Sequence, residues 1–150
     1  PDLMLGAGKI LKEQQIDQLQ EIGIHFGVSP VWNQNIWEKA VQNNFFLIPS
    51  VLTPSELNRA VNCECRLVKV FPIEPIGGYN YLKALISPFR HVGLKYLPTG
   101  GISQDLVTSY LGDPDVLTVG GSWVTPGDLI LNSKFSMITK LAKKVFSFAN

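Results

Sequence analysis

Two hydrophobic patterns alternate along this chain, and their alternation constrains its fold more than any other feature. Short apolar runs that end at glycine, proline or serine are each followed by a stretch with the amphipathic spacing of a helix. The repeat of roughly 20–27 residues is that of a βα unit, which predicts an α/β protein with parallel strands. We expect strands at residues 3–5, 25–28, 45–48, 67–71, 94–97 and 116–119, and helices at 12–22, 34–42, 55–61, 79–86, 104–111 and 134–148.

The length of the chain restricts its architecture. At 150 residues there is room for one hydrophobic core, so residues 1–150 are expected to form a single domain. Six βα units would complete a doubly wound sheet, whereas a (β/α)8 barrel, or TIM barrel, needs eight units and usually about 200 residues or more. Because the chain begins directly in a predicted strand, the pattern favours an incomplete (β/α)8 barrel that lacks roughly the first two strands.

Composition and residue spacing exclude several classes of function. A net charge of +1 argues against the clustered positive surface that nucleic acids require, so no nucleic-acid partner is expected. The longest apolar runs are too short to span a bilayer, so no membrane partner is expected either. Cys63 and Cys65 are too close in sequence for a structural disulfide, and neither histidine has a neighbour at metal-ligand spacing. We therefore expect a cytoplasmic protein without a metal or other cofactor.

One lysine lies in the middle of a predicted strand. Alternation along residues 67–71 places Lys69 on the same face as Leu67 and Phe71. Burial among apolar side chains would lower the pKa of its amine, and a neutral amine is the nucleophile that attacks a carbonyl. The alternative is a lysine at the edge of the sheet, with its stem on the sheet and its ammonium group in water. The pattern leaves both interpretations open.

Two glycine-rich segments follow consecutive predicted strands: residues 98–101 (PTGG) after the fifth and residues 120–123 (GGSW) after the sixth. Glycine lets backbone N–H groups approach an anion closely, because no Cβ stands in the way. If two strands are missing at the front, these loops follow strands seven and eight of the barrel, the usual phosphate-binding position in this fold. One pair of glycines is equally typical of a turn, but the two pairs together predict a phosphate site.

Acidic residues near these segments are better explained by helix starts than by catalysis. Thr53, Pro54 and Glu56 have the order of an N-cap, a proline at the first helical position and a carboxylate three residues after the cap. Glu74 follows the strand of Lys69 and is close enough in sequence to approach the amine. We expect it instead at the start of the next helix, where a carboxylate is favourable.

Taken in order, the motifs of the chain resemble those of one enzyme family. They are GAG at 6–8, VSP at 28–30, LIP at 47–49, LTPSE at 52–56, KVFP at 69–72, GG at 77–78, PTGGI at 98–102 and GGSW at 120–123. The family is that of the bacterial 2-keto-3-deoxy-6-phosphogluconate (KDPG) aldolases, which often also cleave 4-hydroxy-2-oxoglutarate (KHG). The resemblance runs through nearly the whole chain with near-matching spacing, and the set is far more specific than any one motif.

This resemblance implies a (β/α)8 barrel and a class I aldolase that cleaves KDPG to pyruvate and glyceraldehyde 3-phosphate without a metal or cofactor. Lys69 would form the Schiff base with the keto acid. The implied substrate-binding residues are Lys9, Pro30, Phe71 and Thr99, and the implied phosphate-binding residues are Gly100, Gly101, Gly120, Gly121 and Ser122. The implied partners are small keto acids and phosphorylated sugar acids, and the implied assembly is a homotrimer.

Two departures from the family pattern qualify the implied activity. The general base of the family is a glutamate on the first strand of the barrel, with an arginine for the substrate carboxylate near it, and the alignment of motifs puts both outside these residues. Lys9 stands where the family usually has threonine, and it is either a ligand for a carboxylate or phosphate or a surface lysine. Two alternatives stay open: a non-catalytic barrel that binds phosphorylated ligands, and another phosphate-binding barrel, such as a sugar-phosphate isomerase.

Overall fold

The structure is a computed structural model that describes residues 4–146. Its strands are β1 (Gly6–Gly8), β2 (Phe26–Val28), β3 (Phe46–Ile48), β4 (Ser50–Val51), β5 (Leu67–Val70) and β6 (Lys95–Pro98). Its α-helices are α1 (Gln14–Glu21), α2 (Gln34–Gln42), α3 (Pro54–Asn62), α4 (Gly78–Ile86), α5 (Val107–Leu111), α6 (Gly127–Leu131) and α7 (Phe135–Phe146). Short 3-10 turns occur at Glu74–Ile76, Ser87–Val92, Gln104–Leu106 and Ser122–Val124. The predicted α/β class is confirmed.

All strand pairs are parallel, and strands that are consecutive in sequence are neighbours. β2 lies between β1 and β3, and β5 lies between β4 and β6. β3 and β4 belong to one extended segment interrupted at Pro49, whose carbonyl accepts a hydrogen bond from the Lys69 N–H at 2.8 Å. This segment connects the two three-stranded sheets. Among the described residues the strand order never reverses, whereas a doubly wound sheet contains a reversal.

The main hydrophobic core lies between the strands and the helices that cover them. Val68 and Val70 of β5 are fully buried there, together with Tyr96 of β6. Because successive side chains of a strand point to opposite faces, Lys69 and Leu97 lie on the face turned away from this core. A second, smaller core packs the first two helices on the adjacent strands through Ile10, Ile16, Ile36, Ala40, Phe45 and Leu47.

Side-chain caps determine where two of the helices begin. Thr53 Oγ1 accepts a hydrogen bond from the Glu56 N–H at 3.3 Å, and Glu56 Oε2 accepts one from the Thr53 N–H at 2.9 Å. The predicted capping role of Glu56 is therefore confirmed. Asn33 caps α2 in a similar way, because its side-chain oxygen accepts a hydrogen bond from the Ile36 N–H at 3.2 Å. Each cap satisfies an N–H group that has no partner within its helix.

The first predicted strand is displaced along the chain. It was expected at residues 3–5, but residue 3 lies outside the described residues and β1 begins only at Gly6. Met4 and Leu5 are largely exposed. The register with β2 pairs Gly6 with Phe26, and a Cβ added to Gly6 would lie 2.1 Å from an atom of the Phe26 ring. The ring occupies the space that a side chain would need, so the strand consists of small residues rather than of the apolar run.

Other differences concern the second half of the chain. Residues 116–119 form no extended strand, only isolated parallel bridges from Val116 to Tyr96 and from Gly120 to Thr99, and Leu117 is exposed. A strand needs a continuous ladder, and the bridges at Val116 and Gly120 are isolated from each other. The helix expected at 104–111 is split into a 3-10 turn and α5, and α6 was not predicted. Residues 147–148 of the last predicted helix lie outside the described residues.

Candidate active site

Lys69 occupies the middle of the parallel strands rather than an edge. In register it lies opposite Ser50 of β4 and Leu97 of β6. Its side chain is half-buried, and its Nζ lies 4.2 Å from the centroid of the Phe71 ring. Within residues 4–146 this amine makes no hydrogen bond and no ion pair. The interpretation of Lys69 as an edge lysine is therefore wrong, because strands flank it on both sides.

The surroundings of Lys69 favour the neutral amine. Desolvation by burial lowers the pKa of Lys69 below its ordinary value of 10.5. The Phe71 ring attracts a cation only weakly. Among the described residues, no carboxylate pairs with the amine, so nothing of that kind raises its pKa back toward the ordinary value. A larger fraction of this amine is therefore unprotonated near neutral pH than in an exposed lysine. The unprotonated form can attack a carbonyl carbon.

A cavity of about 800 Å³ opens beside Phe71 and brings the two glycine-rich loops together. The loops are neighbours because Thr99 and Gly120 form a parallel bridge and the Gly120 N–H donates to the Pro98 carbonyl at 3.0 Å. The predicted site residues that line the cavity are Phe71, Thr99, Gly100, Gly101, Gly120, Gly121 and Ser122. Residues up to 51 positions apart in the sequence, Phe71 and Ser122, therefore line one cavity.

Backbone hydrogen bonds orient the peptide groups of the first glycine loop. The Ile73 N–H donates to the Thr99 carbonyl at 2.9 Å, and the Glu74 N–H donates to the Gly100 carbonyl at 3.0 Å. In a trans peptide the C=O and the following N–H point in opposite directions, so the Gly100 and Gly101 N–H groups point away from residues 73–74. The parallel bridge between Thr99 and Gly120 directs the Gly100 N–H toward the Gly120 carbonyl, whereas the Gly101 N–H has no acceptor within the part of the chain described. The Gly101 N–H is therefore available to an anion.

The second glycine loop offers further donors. The N–H groups of Gly121 and Ser122 have no acceptor among residues 4–146, and the Ser122 hydroxyl is exposed at the start of a 3-10 turn. Gly120 differs, because its N–H is already bonded to the Pro98 carbonyl. Its small size still matters: a Cβ at this position would lie 2.7 Å from Thr99 Oγ1. Gly120 therefore allows the two loops to lie close together rather than supplying a donor.

Pro30 and Lys9 lie outside the main cavity. Pro30 lines a separate cavity of about 380 Å³ that also touches Phe71, so Phe71 contributes to the walls of both cavities. Lys9 follows β1 directly, is exposed and has a left-handed φ of 60°. It lines neither of these two cavities. The structure thus brings Pro30 close to Phe71 but places Lys9 outside the lining of both cavities.

Sequence reasoning gave Trp123 no role in the site, and it is one of several cavity-lining residues that were not predicted. Trp123 lines the cavity with its indole against Gly121, where an added Cβ would lie 2.3 Å from Nε1. Its place at the end of the GGSW motif was the available signal. Glu74 begins the 3-10 turn before α4, as predicted, and its carboxylate accepts a hydrogen bond from the Tyr110 hydroxyl.

Metal-ligand clusters and membrane-spanning helices are both missing from the described residues. Within residues 4–146, no group of three or more His, Cys, Asp or Glu side chains is arranged to hold a metal ion. In the same part of the chain, no helix combines the length and hydrophobicity needed to cross a membrane. Cys63 and Cys65 are free thiols, and burial raises the pKa of Cys65 to about 12, so that this thiol is a poor nucleophile.

Fold and site together define a class of α/β protein with a half-buried lysine on a central parallel strand. The phenylalanine ring that this lysine contacts lines a cavity built from two glycine loops, although the lysine itself does not line it. A family model described as KDPG and KHG aldolase matches residues 1–141. The chain is 36% identical over 144 residues to the KHG/KDPG aldolase of Escherichia coli (strain K12), a match that covers 96% of this chain and 67% of the relative. It is 35% identical over 143 residues to the 2-dehydro-3-deoxy-phosphogluconate aldolase of Treponema pallidum (strain Nichols), covering 95% and 67%.

Solved structures give the same result. The KDPG aldolase of Zymomonas mobilis ZM4 with 3-phosphoglycerate superposes with a TM-score of 0.89 at 36% identity, covering 99% of this chain and 68% of that one. The KDPG aldolase of Legionella pneumophila, with pyruvate captured at low pH as a covalent carbinolamine intermediate, gives a TM-score of 0.87 at 35% identity, covering 94% and 68%. The chain belongs to the KDPG and KHG aldolase family. The family predicted from the motifs is therefore confirmed.

Proposed function

We propose that this chain carries the Schiff-base site of a class I aldolase that cleaves KDPG to pyruvate and glyceraldehyde 3-phosphate. The observation that carries the proposal is the state of Lys69. Its amine is half-buried, lacks an ion-pair partner in residues 4–146 and has a pKa lowered by desolvation. A carbon–carbon lyase of this class needs such an amine beside a site for the rest of its substrate.

The chemistry begins at Lys69 Nζ. The neutral amine attacks the keto carbon of the substrate to give a carbinolamine, and loss of water from the carbinolamine leaves a protonated imine. A base then removes the proton of the C4 hydroxyl, and the bond between C3 and C4 breaks. The electron pair of that bond moves into the protonated imine, which becomes an enamine. Glyceraldehyde 3-phosphate leaves, the enamine takes up a proton at C3, and hydrolysis releases pyruvate and restores the lysine. We assign no residue of this chain as the base in this step.

The roles of the remaining site residues follow from their positions relative to Lys69 and the cavities. Phe71, 4.2 Å from the amine, would pack against the pyruvyl group, and Thr99 would bind its carboxylate or carbonyl. The free N–H groups of Gly101, Gly121 and Ser122, with the Ser122 hydroxyl, would bind the phosphate of the substrate, and Gly100 would shape the loop that presents them. Gly120 would make room for this arrangement. Pro30 would close the pyruvyl end beside Phe71, and Lys9 would act only if its loop moves toward the site.

The finer features of the fold and assembly are also proposals. We infer that residues 1–150 are one domain whose strands belong to a (β/α)8 barrel. Their consecutive parallel order supports this, as do the bridges of Val116 and Gly120, which continue that order by one position. A cytoplasmic homotrimer that acts on KDPG, and also on KHG, is the assembly and substrate range that membership of the family supports.

Borohydride trapping with pyruvate tests the Schiff-base assignment. Intact mass and peptide mapping should place a reduced pyruvyl adduct on Lys69, and Lys69→Ala should abolish it. Lys95→Met is the matched control, because Lys95 is a half-buried lysine on the same face of the neighbouring strand, held by the Pro114 carbonyl and Asp115. Its adduct yield should equal that of the wild type. A folded protein that gives no adduct on Lys69 would overturn the proposal and favour a non-catalytic barrel that binds phosphorylated ligands.

A further inference from the structure

Packing beneath the first glycine loop points to residues that control its shape. Gly100 and Gly101 adopt φ values of 101° and 88°, which L side chains rarely adopt. A Cβ on Gly100 would lie 2.9 Å from the Pro72 Cα, and one on Gly101 would lie 2.7 Å from the Glu74 Cβ. The loop therefore lies directly on residues 72–74, and any movement of that segment is transmitted to it.

The side chain of Glu74 anchors this segment to two helices. Its carboxylate accepts a hydrogen bond from the Tyr110 hydroxyl of α5. Both carboxylate oxygens also lie 3.2 Å from the position that a Cβ would occupy on Gly78, the first residue of α4, where a negative charge is favourable. Tyr110 itself is almost completely buried and packs edge-on against Tyr79, with ring centroids 5.7 Å apart. Glu74 is thus hydrogen-bonded to a buried neighbour.

We propose that Glu74, held by Tyr110, is a positioning residue that orients the Gly101 N–H toward the phosphate of the substrate. This inference rests on the proposed function, because it assigns a role within the same phosphate site. The Glu74 N–H fixes the peptide between Gly100 and Gly101 at 3.0 Å, and the Glu74 side chain fixes the Glu74 backbone. Loss of the Tyr110 bond should therefore weaken binding of phosphorylated ligands and leave the pyruvyl half of the site intact.

The variants Tyr110→Phe and Glu74→Ala test the inference, with Tyr79→Phe as the matched control. Tyr79 also loses a single hydroxyl hydrogen bond on this substitution, but its partner is Asp113 at 3.3 Å rather than Glu74. Calorimetric titration with 3-phosphoglycerate should give a Kd about tenfold higher for Tyr110→Phe and Glu74→Ala, the size expected for one hydrogen bond to a charged group. Tyr79→Phe should bind as the wild type does. Glu74→Gln should recover most of the affinity, because its amide oxygen can accept the same bond.

Pyruvate trapping separates failure of this inference from failure of the proposed function. Pyruvate has no phosphate, so the yield of adduct on Lys69 should be the same in the wild type, Tyr110→Phe and Tyr79→Phe. If the wild type traps pyruvate and Tyr110→Phe and Glu74→Ala bind 3-phosphoglycerate with unchanged Kd, the positioning role is wrong and the proposed function stands. If Tyr79→Phe weakens binding of 3-phosphoglycerate equally, the positioning role is also wrong, because the loss of affinity would then come from a general destabilisation of the core. A wild type that binds no 3-phosphoglycerate would overturn the phosphate site and this inference with it.

Discussion

Replacing Gly101 by alanine should disrupt the phosphate loop while sparing the lysine. Two costs follow from the structure. An alanine at a φ of 88° adopts a left-handed conformation that costs roughly 1–2 kcal/mol. The new Cβ would also lie 2.7 Å from the Glu74 Cβ, well inside the carbon–carbon separation of about 3.5–4.0 Å. The loop must therefore move by about 1 Å to restore that separation.

A movement of this size is enough to break a hydrogen bond from the loop to a phosphate oxygen. Such a bond, with a charged acceptor, contributes about 1.5–3 kcal/mol, and 1.4 kcal/mol is a factor of ten in Kd. We therefore expect Gly101→Ala to raise the Kd for 3-phosphoglycerate at least about tenfold in a calorimetric titration. Trapping of pyruvate on Lys69 should continue.

Gly23→Ala is the control for backbone strain. Gly23 has a φ of 74°, so alanine there meets a similar conformational cost, but a Cβ at this position has no atom within 4 Å. Thermal unfolding should show a loss of stability in both variants, larger in Gly101→Ala because only there does the new Cβ meet other atoms, and only Gly101→Ala should lose affinity. An unchanged Kd in Gly101→Ala, or an equal loss in Gly23→Ala, would refute the placement of the phosphate on the glycine loop.

Two further predictions concern ionisable groups. Arg90→Ala should lower the free energy of unfolding by about 2 kcal/mol at pH 7 in urea denaturation, because it leaves the buried Asp113 with only the Tyr79 hydroxyl and the Asp115 N–H as partners. Hydrogen bonding to Arg90 lowers the pKa of Asp113. The difference in free energy of unfolding between the wild type and Arg90→Ala should therefore be complete above pH 3.8 and shrink as the pH falls through the lowered pKa. A difference that stays constant with pH would contradict this prediction. The lowered pKa of Lys69 predicts that the initial rate of pyruvate trapping rises with pH and levels off below pH 10.5. If the midpoint of this rise lies at pH 10.5 or above, desolvation is not the source of the neutral amine.

Much of the candidate site could be predicted because it is encoded in short local patterns. Lys69 stands in an apolar strand, and the two glycine loops follow their strands directly, so each could be recognised from a few adjacent residues. The start of β1 could not be recognised this way, because it depends on the Phe26 ring, 20 residues away. The role of Gly120 also differed from the prediction, since its N–H is bonded to Pro98 across the neighbouring loop.

The partners of Glu74 show the same limit. The sequence correctly indicated a helix start after the lysine strand, since a carboxylate there follows a local rule. Nothing local connects Glu74 to Tyr110, which lies 36 residues further along the chain, and their contact arises only when α5 packs beside the end of β5. Lys9 is the opposite case: its motif places it in the site, but the conformation of its loop leaves it exposed and outside both cavities.

The sequence by itself determined the alternation of strands and helices, the position of the lysine within a strand, the two glycine loops and the family. Hydrophobic periodicity and glycine content are properties of neighbouring residues, so they can be recognised in the sequence before the fold is known. Only the tertiary structure decided that strands flank Lys69 on both sides, that its pKa is lowered and that the Gly101 N–H has no acceptor within residues 4–146. Desolvation and the direction of a peptide group depend on atoms that folding brings together from distant parts of the chain.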